Sequence, residues 1–144
     1  MLALFIPYLI FSQKVIVSVD DHRQNLYVCN NCGYHDRIDA AEYFEMLFDE
    51  GKFTELDADL VSQDPLKFED TKKYSDRLKA TMAKTGLNDA VSSAYGKLDG
   101  KDITIAAMNF AFIGGSMGSV VGEKISRAMD HSLKTGKPFL IKGA

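Results

Sequence analysis

Hydrophobic and polar positions along the 144-residue chain change period several times, and each change marks an element. Residues 1–11 (MLALFIPYLIF) carry no charge and no alternation. Residues 14–19 (KVIVSV) are β-branched and predict a strand, Asp20-Asp21 a turn, and Leu26-Tyr27-Val28 a second short strand running into Cys29. Together these predict a small ribbon over about residues 10–36. A helix follows. Asp39 and Glu42 have the spacing of a capping box, Ile38 and Tyr43 that of a hydrophobic staple, and Phe44, Leu47 and Phe48 continue one apolar face. Gly51 is placed to stop this helix in the left-handed conformation. Residues 53–66 read as irregular, with a turn at Asp64-Pro65.

The helical period returns over residues 72–84, where Tyr74, Leu78 and Met82 form one stripe ended by Gly86. From Ala90 the pattern becomes that of strands. Residues 90–98 and 101–110, joined by Asp99-Gly100, predict a hairpin with a tight turn. The second arm (DITIAAMNF) is almost continuously apolar, as expected of a strand covered on both faces. A glycine loop, Gly114-Gly115-Ser116-Met117-Gly118, leads to a helix over residues 119–134 with Val121, Ile125, Ala128, Met129 and Ser132 as its inner face. Gly136 ends it, and Phe139-Leu140-Ile141 begins a buried-type strand. With such a strand last, an open sheet edge is expected, the sign of a chain that stops inside a larger sheet.

The order of elements makes this an α/β protein. Its composition, 46% hydrophobic and 26% charged, is that of a soluble globular chain. A net charge of −3 gives no overall attraction to nucleic acid or an anionic membrane. The apolar start falls short of the roughly 20 residues a bilayer span needs and lacks a basic leader. A buried strand, a non-native start and a membrane anchor remain its three readings. The chain is read as cytoplasmic and not membrane-bound.

Two constellations could carry chemistry. Cys29 and Cys32, with Gly33 after them, match half of a four-thiolate zinc site. A redox pair and two inert thiols are the other readings, although a redox pair wants its first cysteine at a helix start. His35, three residues beyond Cys32, is expected to point outward. The second constellation is the glycine loop, Gly114 to Gly118, which exposes backbone N–H groups at a helix start where an anion or phosphate can sit. Taken alone it reads first as an ordinary tight strand-to-helix connection, and it lacks the spacing of a Walker or dinucleotide motif. Glu123 and Lys124 read as a solvated face. His22, His35 and His131 lie in unrelated contexts, no triad is legible, and no residue is assigned as catalytic.

Several stretches, in order, are similar to the zinc-ribbon-bearing β subunit of acetyl-CoA carboxylase carboxyltransferase. They are Asn25-Leu26-Tyr27-Val28-Cys29 with Cys32-Gly33-Tyr34-His35, then Phe48-Asp49-Glu50-Gly51, Asp64-Pro65-Leu66-Lys67-Phe68 and Tyr74-Ser75-Asp76-Arg77-Leu78. The most specific is Gly114-Gly115-Ser116-Met117-Gly118-Ser119-Val120-Val121-Gly122-Glu123-Lys124-Ile125. The resemblance implies a partial zinc ribbon with an atypical apolar start over residues 1–36. Residues 37–144 would then be the first part of a crotonase-like domain, a spiral of ββα units.

It further implies carboxyl transfer from carboxybiotin, supplied by biotin carboxyl carrier protein, to acetyl-CoA, giving malonyl-CoA for fatty acid biosynthesis in partnership with an α subunit. Gly114, Gly115, Ser116, Met117 and Gly118 would line the substrate, and Cys29 and Cys32 would hold zinc as a half site. Two departures stand out. The family's other Cys-x-x-Cys falls near Ile10 and Gln13, and its Ser-Gly-Gly-Ala-Arg-Met oxyanion-hole segment is met here by Lys142-Gly143-Ala144. The expectation is a fragment inactive on its own. A stand-alone zinc-ribbon module that binds nucleic acid or regulates a partner is the alternative.

Overall fold

The computed structural model describes residues 7–10 and 15–143, which form two compact units, Met1–Ile38 and Asp39–Ala144. In the first unit, strand β1 (Pro7–Ile10) pairs antiparallel with β2 (Val15–Ser18), Pro7 opposite Ser18. Lys14 and Gln13 lie outside the described residues. The expected turn at Asp20-Asp21 is instead helix α1 (Val19–Gln24). Ser18 caps it, its hydroxyl accepting the Asp21 N–H, and both aspartates sit in the first turn, where the helix dipole favours negative charge.

The expected strand at Leu26-Tyr27-Val28 is absent. Leu26 (φ 52°) and Tyr27 (φ 60°) are left-handed, which no strand accommodates, and Val28 keeps a single bridge to His35. The partner of β2 is therefore β1 and not the segment before Cys29.

In the second unit, helix α2 (Ala40–Leu47) opens on the predicted capping box. The Asp39 carboxylate accepts the Glu42 N–H at 3.1 Å, and Glu42 accepts the Asp39 N–H at 2.9 Å. It ends earlier than expected, because Phe48 is extended; Gly51 closes a separate 3-10 turn, Asp49–Gly51. Within the stretch read as irregular lies strand β3 (Phe53–Leu56). Four residues are too few to show a period, and β3 exists by pairing with its neighbour. Helix α3 (Tyr74–Thr85) buries Leu78 and ends at Gly86.

Strands β4 (Val91–Leu98) and β5 (Lys101–Met108) form the predicted hairpin. Asp99 (φ 50°) and Gly100 (φ 73°) take the two left-handed conformations that a two-residue turn needs. The Asp49 carboxylate clamps that turn, one oxygen accepting the Asp99 N–H at 2.9 Å and the other the Gly100 N–H at 2.8 Å.

Helix α4 (Ser119–Thr135) returns the chain to β6 (Phe139–Lys142), which pairs parallel to β5. The sheet order is β3-β4-β5-β6. Successive β5 residues serve opposite faces. Ile105 and Ala107 pack with Ala94, Phe44 and Phe48 of the α2 side, and Ala106 and Met108 pack with Val91, Leu78 and Val121 of the α3 and α4 side. Cover on both faces explains the unbroken apolar run. Burying Phe44 alone contributes about 2–3 kcal/mol.

Asn109 closes the interior. Its Oδ1 accepts the Ala40 N–H at 2.9 Å, its Nδ2 donates to Ser92 Oγ at 3.2 Å, and its own N–H donates to the Ala90 carbonyl at 2.7 Å. One buried amide thus joins the start of α2 to the sheet. At the β6 edge, Leu140 and Ile141 are exposed and not buried as their pattern suggests. Among the described residues no helix is long and apolar enough to cross a membrane.

Candidate functional site

The glycine loop lies between the end of β5 and the start of α4, as its pattern indicates. After Asn109 the chain folds tightly on itself. The Phe112 N–H donates to the Asn109 carbonyl, the Gly115 N–H to Phe112 and the Ser116 N–H to Ile113, at 2.9–3.2 Å. This winding needs three left-handed residues in succession, Ile113 (φ 46°), Gly114 (φ 66°) and Gly115 (φ 74°). Two of the three are glycine, for which that conformation is free of strain.

Gly118 is the N-cap residue of α4, extended and without a side chain to receive the first-turn N–H groups. The helix start is therefore open to an acceptor from outside, with the dipole favouring negative charge there. Gly114, Ser116, Met117 and Gly118 are exposed, Met117 by 78%, while Gly115 is half-buried. Beneath the loop a space of about 10 Å³ is bordered by Tyr74, Asp89, Ser116 and Ser119, little more than one water's room. The five candidates thus share one short surface, with the Gly115 and Ser116 N–H groups spent inside the turn.

Helix α4 corrects two sequence readings. Lys124 is not on a solvated face: it is 2% exposed, and its ammonium donates to the Val91 carbonyl at 3.4 Å. It stands three residues after Val121 and four before Ala128, both buried, so helical geometry turns it inward. Met129, one step round from Ala128, is exposed and does not belong to the inner face. Glu123 is solvated as expected, paired with Arg127 at 2.7 Å, and Arg127 reaches Asp57 at 3.0 Å.

Asp89, 7% exposed, lies close enough to feel the Lys124 charge. Burial pushes its carboxyl above the ordinary aspartate value, outweighing the Ala90 N–H bond and Lys124, both of which favour the charged form. The remaining histidine on this helix, His131, places Nδ1 3.1 Å from Thr104 Oγ1 and its ring against Tyr95 at 4.8 Å.

In the first unit, Cys29 is buried and Cys32 half-buried. Two hydrogen bonds close the turn between them: the Gly33 N–H donates to the Cys29 carbonyl and the Cys29 N–H to the Tyr34 carbonyl, both at 2.8 Å. His35 is exposed, as expected. His22 is buried, with Nε2 3.4 Å from an Asp36 carboxylate oxygen and its ring edge-on to Tyr27. Among the described residues, no three of His, Cys, Asp and Glu gather as a metal site. Two thiols do not fit the four ligands of a structural zinc. Gln13, which falls near the place of one of the family's other two cysteines and cannot replace a thiolate, lies outside the described residues.

The carboxyl transferase domain family matches residues 40–142. The chain is 58% identical over 126 residues to the acetyl-coenzyme A carboxylase carboxyl transferase subunit beta of Christiangramia forsetii, covering 88% of this chain and 44% of that protein. It is 55% identical over 121 residues to the subunit of the same name from Pedobacter heparinus, covering 84% and 43%. The chain therefore spans under half the length of these relatives.

Among solved structures, transcarboxylase 12S with methylmalonyl-coenzyme A bound aligns over 73% of this chain and 18% of its own, with a TM-score of 0.56 and 26% identity. A single-chain, multi-domain long-chain acyl-CoA carboxylase shares the fold over 85% of this chain and 11% of its own, with a TM-score of 0.57 and 16% identity.

Proposed function

Because this chain belongs to the carboxyl transferase domain family, we propose that it is a portion of the β subunit of an acetyl-CoA carboxylase carboxyltransferase. In this reading the completed enzyme, with its α subunit, moves a carboxyl group from carboxybiotin on a carrier protein to the methyl carbon of acetyl-CoA. The product is malonyl-CoA, for fatty acid biosynthesis in the cytoplasm. The observation that carries the reading is the high identity to named β subunits across most of this chain.

The role of the glycine loop follows from general chemistry. Removing a proton from a thioester's methyl group puts negative charge on the carbonyl oxygen, and preorganised N–H donors stabilise such charge by about 2.7–4 kcal/mol each. The uncapped start of α4 supplies donors of this kind, and Gly114 and Gly118 bring the backbone to the surface without side chains of their own. Gly114, Gly115, Ser116, Met117 and Gly118 are assigned to the substrate side as the loop that shapes this helix start. The crotonase-like ββα spiral is the architecture in which the β4-β5-α4 unit would sit. Zinc enters no step, since the described residues supply only two thiols toward it.

Calorimetric titration of the chain with acetyl-CoA tests the assignment. Saturable binding is expected, weakened in Gly115→Val, which places a branched side chain at φ 74°. Equal affinity in both proteins, or no binding in the unmodified chain, removes the loop from the substrate site.

A further inference from the structure

We propose that Lys124 anchors a binding site for a small organic monocarboxylate with a flat apolar body, seated in the cavity between α2, β3 and α4. The cavity measures about 230 Å³ and lies within the second unit. Lys124 is buried and borders it. An ammonium has three donors, and this one makes a single long bond, to the Val91 carbonyl. Among the described residues no carboxylate lies within 4.0 Å of it; Asp89 is close enough to feel its charge and spends an oxygen on the Ala90 N–H at 2.7 Å. A charge withdrawn from water without a partner is costly, and a ligand carboxylate in the cavity would supply that partner.

The walls select the rest of the ligand. Phe44 and Phe53, with ring centroids 5.1 Å apart, and Leu87 offer an apolar flank, and Ser92 adds a hydroxyl to the lining. A few convergent polar groups at the end of an apolar cleft is the usual anatomy of a small-molecule site. A carboxylate suits better than a phosphate. Asp89 and Glu55 both border the cavity, and two acidic side chains there oppose a dianion more strongly than a monoanion. This inference does not depend on the proposed carboxyl transfer, since it uses neither the glycine loop nor acetyl-CoA.

The experiment is an NMR titration of the 15N-labelled chain with benzoate, and with benzamide as an uncharged twin. Benzoate is expected to shift the amides of Asn88, Asp89 and Ser92 saturably, with benzamide at least about tenfold weaker, the cost of losing one charged hydrogen-bond partner. Lys124→Met, close in shape but neutral, is expected to lose the preference for benzoate. The proposal is overturned if benzamide binds as tightly as benzoate, if shifts appear only at exposed lysines, or if millimolar benzoate moves nothing. Should Lys124→Met fail to fold, the two ligands on the unmodified chain still decide the matter.

Discussion

Adding one methyl group at Gly96 asks how tightly the sheet is packed against α2. Gly96 lies on β4, opposite Phe53 of β3 and Ile103 of β5. A Cβ there falls 2.6 Å from Phe48 Cδ1, 3.0 Å from its Cε1 and 2.8 Å from the Lys52 carbonyl oxygen. Ordinary contact lies near 3.5 Å, so the neighbours must retreat by about 0.7–0.9 Å. Neither can do so freely: the Phe48 ring is stacked on Phe53 and wedged against Phe44, and Lys52 is backbone at the entry to β3.

Overpacking of this kind costs about 1–3 kcal/mol, and alanine's smaller unfolded-state entropy returns about 0.5–1 kcal/mol. Gly96→Ala is therefore expected to destabilise by about 1–2 kcal/mol, lowering the melting temperature by about 3–4 °C per kcal/mol for a chain of this length. Gly122→Ala is the control, because its Cβ on the outer side of α4 meets nothing within 4 Å. It is expected to stabilise by about 0.5–1 kcal/mol. Urea unfolding followed by far-UV circular dichroism suits a chain without tryptophan. Gly96→Ala as stable as the unmodified chain would falsify the packing described here.

Asn109→Ala strands the Ala40 N–H and the Ser92 hydroxyl in the interior and is expected to cost about 2–4 kcal/mol; a loss under 1 kcal/mol in the same urea assay contradicts its role. Asp89 gives a pH signature. Its folded pKa is raised above 3.8, so its contribution to stability is full below that value and is lost as pH rises through the higher folded value. Asp89→Asn keeps an acceptor for the Ala90 N–H and carries no charge. Its stability relative to the unmodified chain should therefore improve from pH 4 toward neutrality, and a constant or worsening difference refutes the sign.

Elements with strong local signals were readable from the residues alone. The Asp39 and Glu42 pair, the Asp99-Gly100 turn and the glycine that closes α3 each act within a few positions, so the chain states them where they occur. What escaped was decided at a distance. β3 is four residues held by a partner more than thirty positions later, and Asp49 looks like any surface acid until the hairpin turn arrives beside it.

The first unit misled for a local reason: Ser18 makes a helix of the acidic pair that composition alone reads as a turn. At the candidate site, the glycine loop was legible as a sequence of small residues. Its spent and unspent N–H groups were not, because they depend on three successive left-handed conformations. Lys124 is legible by period, since it sits on the stripe of Val121 and Ala128, but its charge points to solvent, and the two signals conflict.

The sheet places its strands side by side in the order in which the chain delivers them, β3, β4, β5 and then β6. None of these four has to be threaded between two that have already met. During synthesis, β4 can therefore find β3 as it emerges, and β5 can fold back on β4 through a turn of two residues. The Asp49 carboxylate is already in place to receive the turn. α4 then carries the chain over to the β5 edge. Assembly can keep pace with translation, each new strand adding at the growing edge of the sheet.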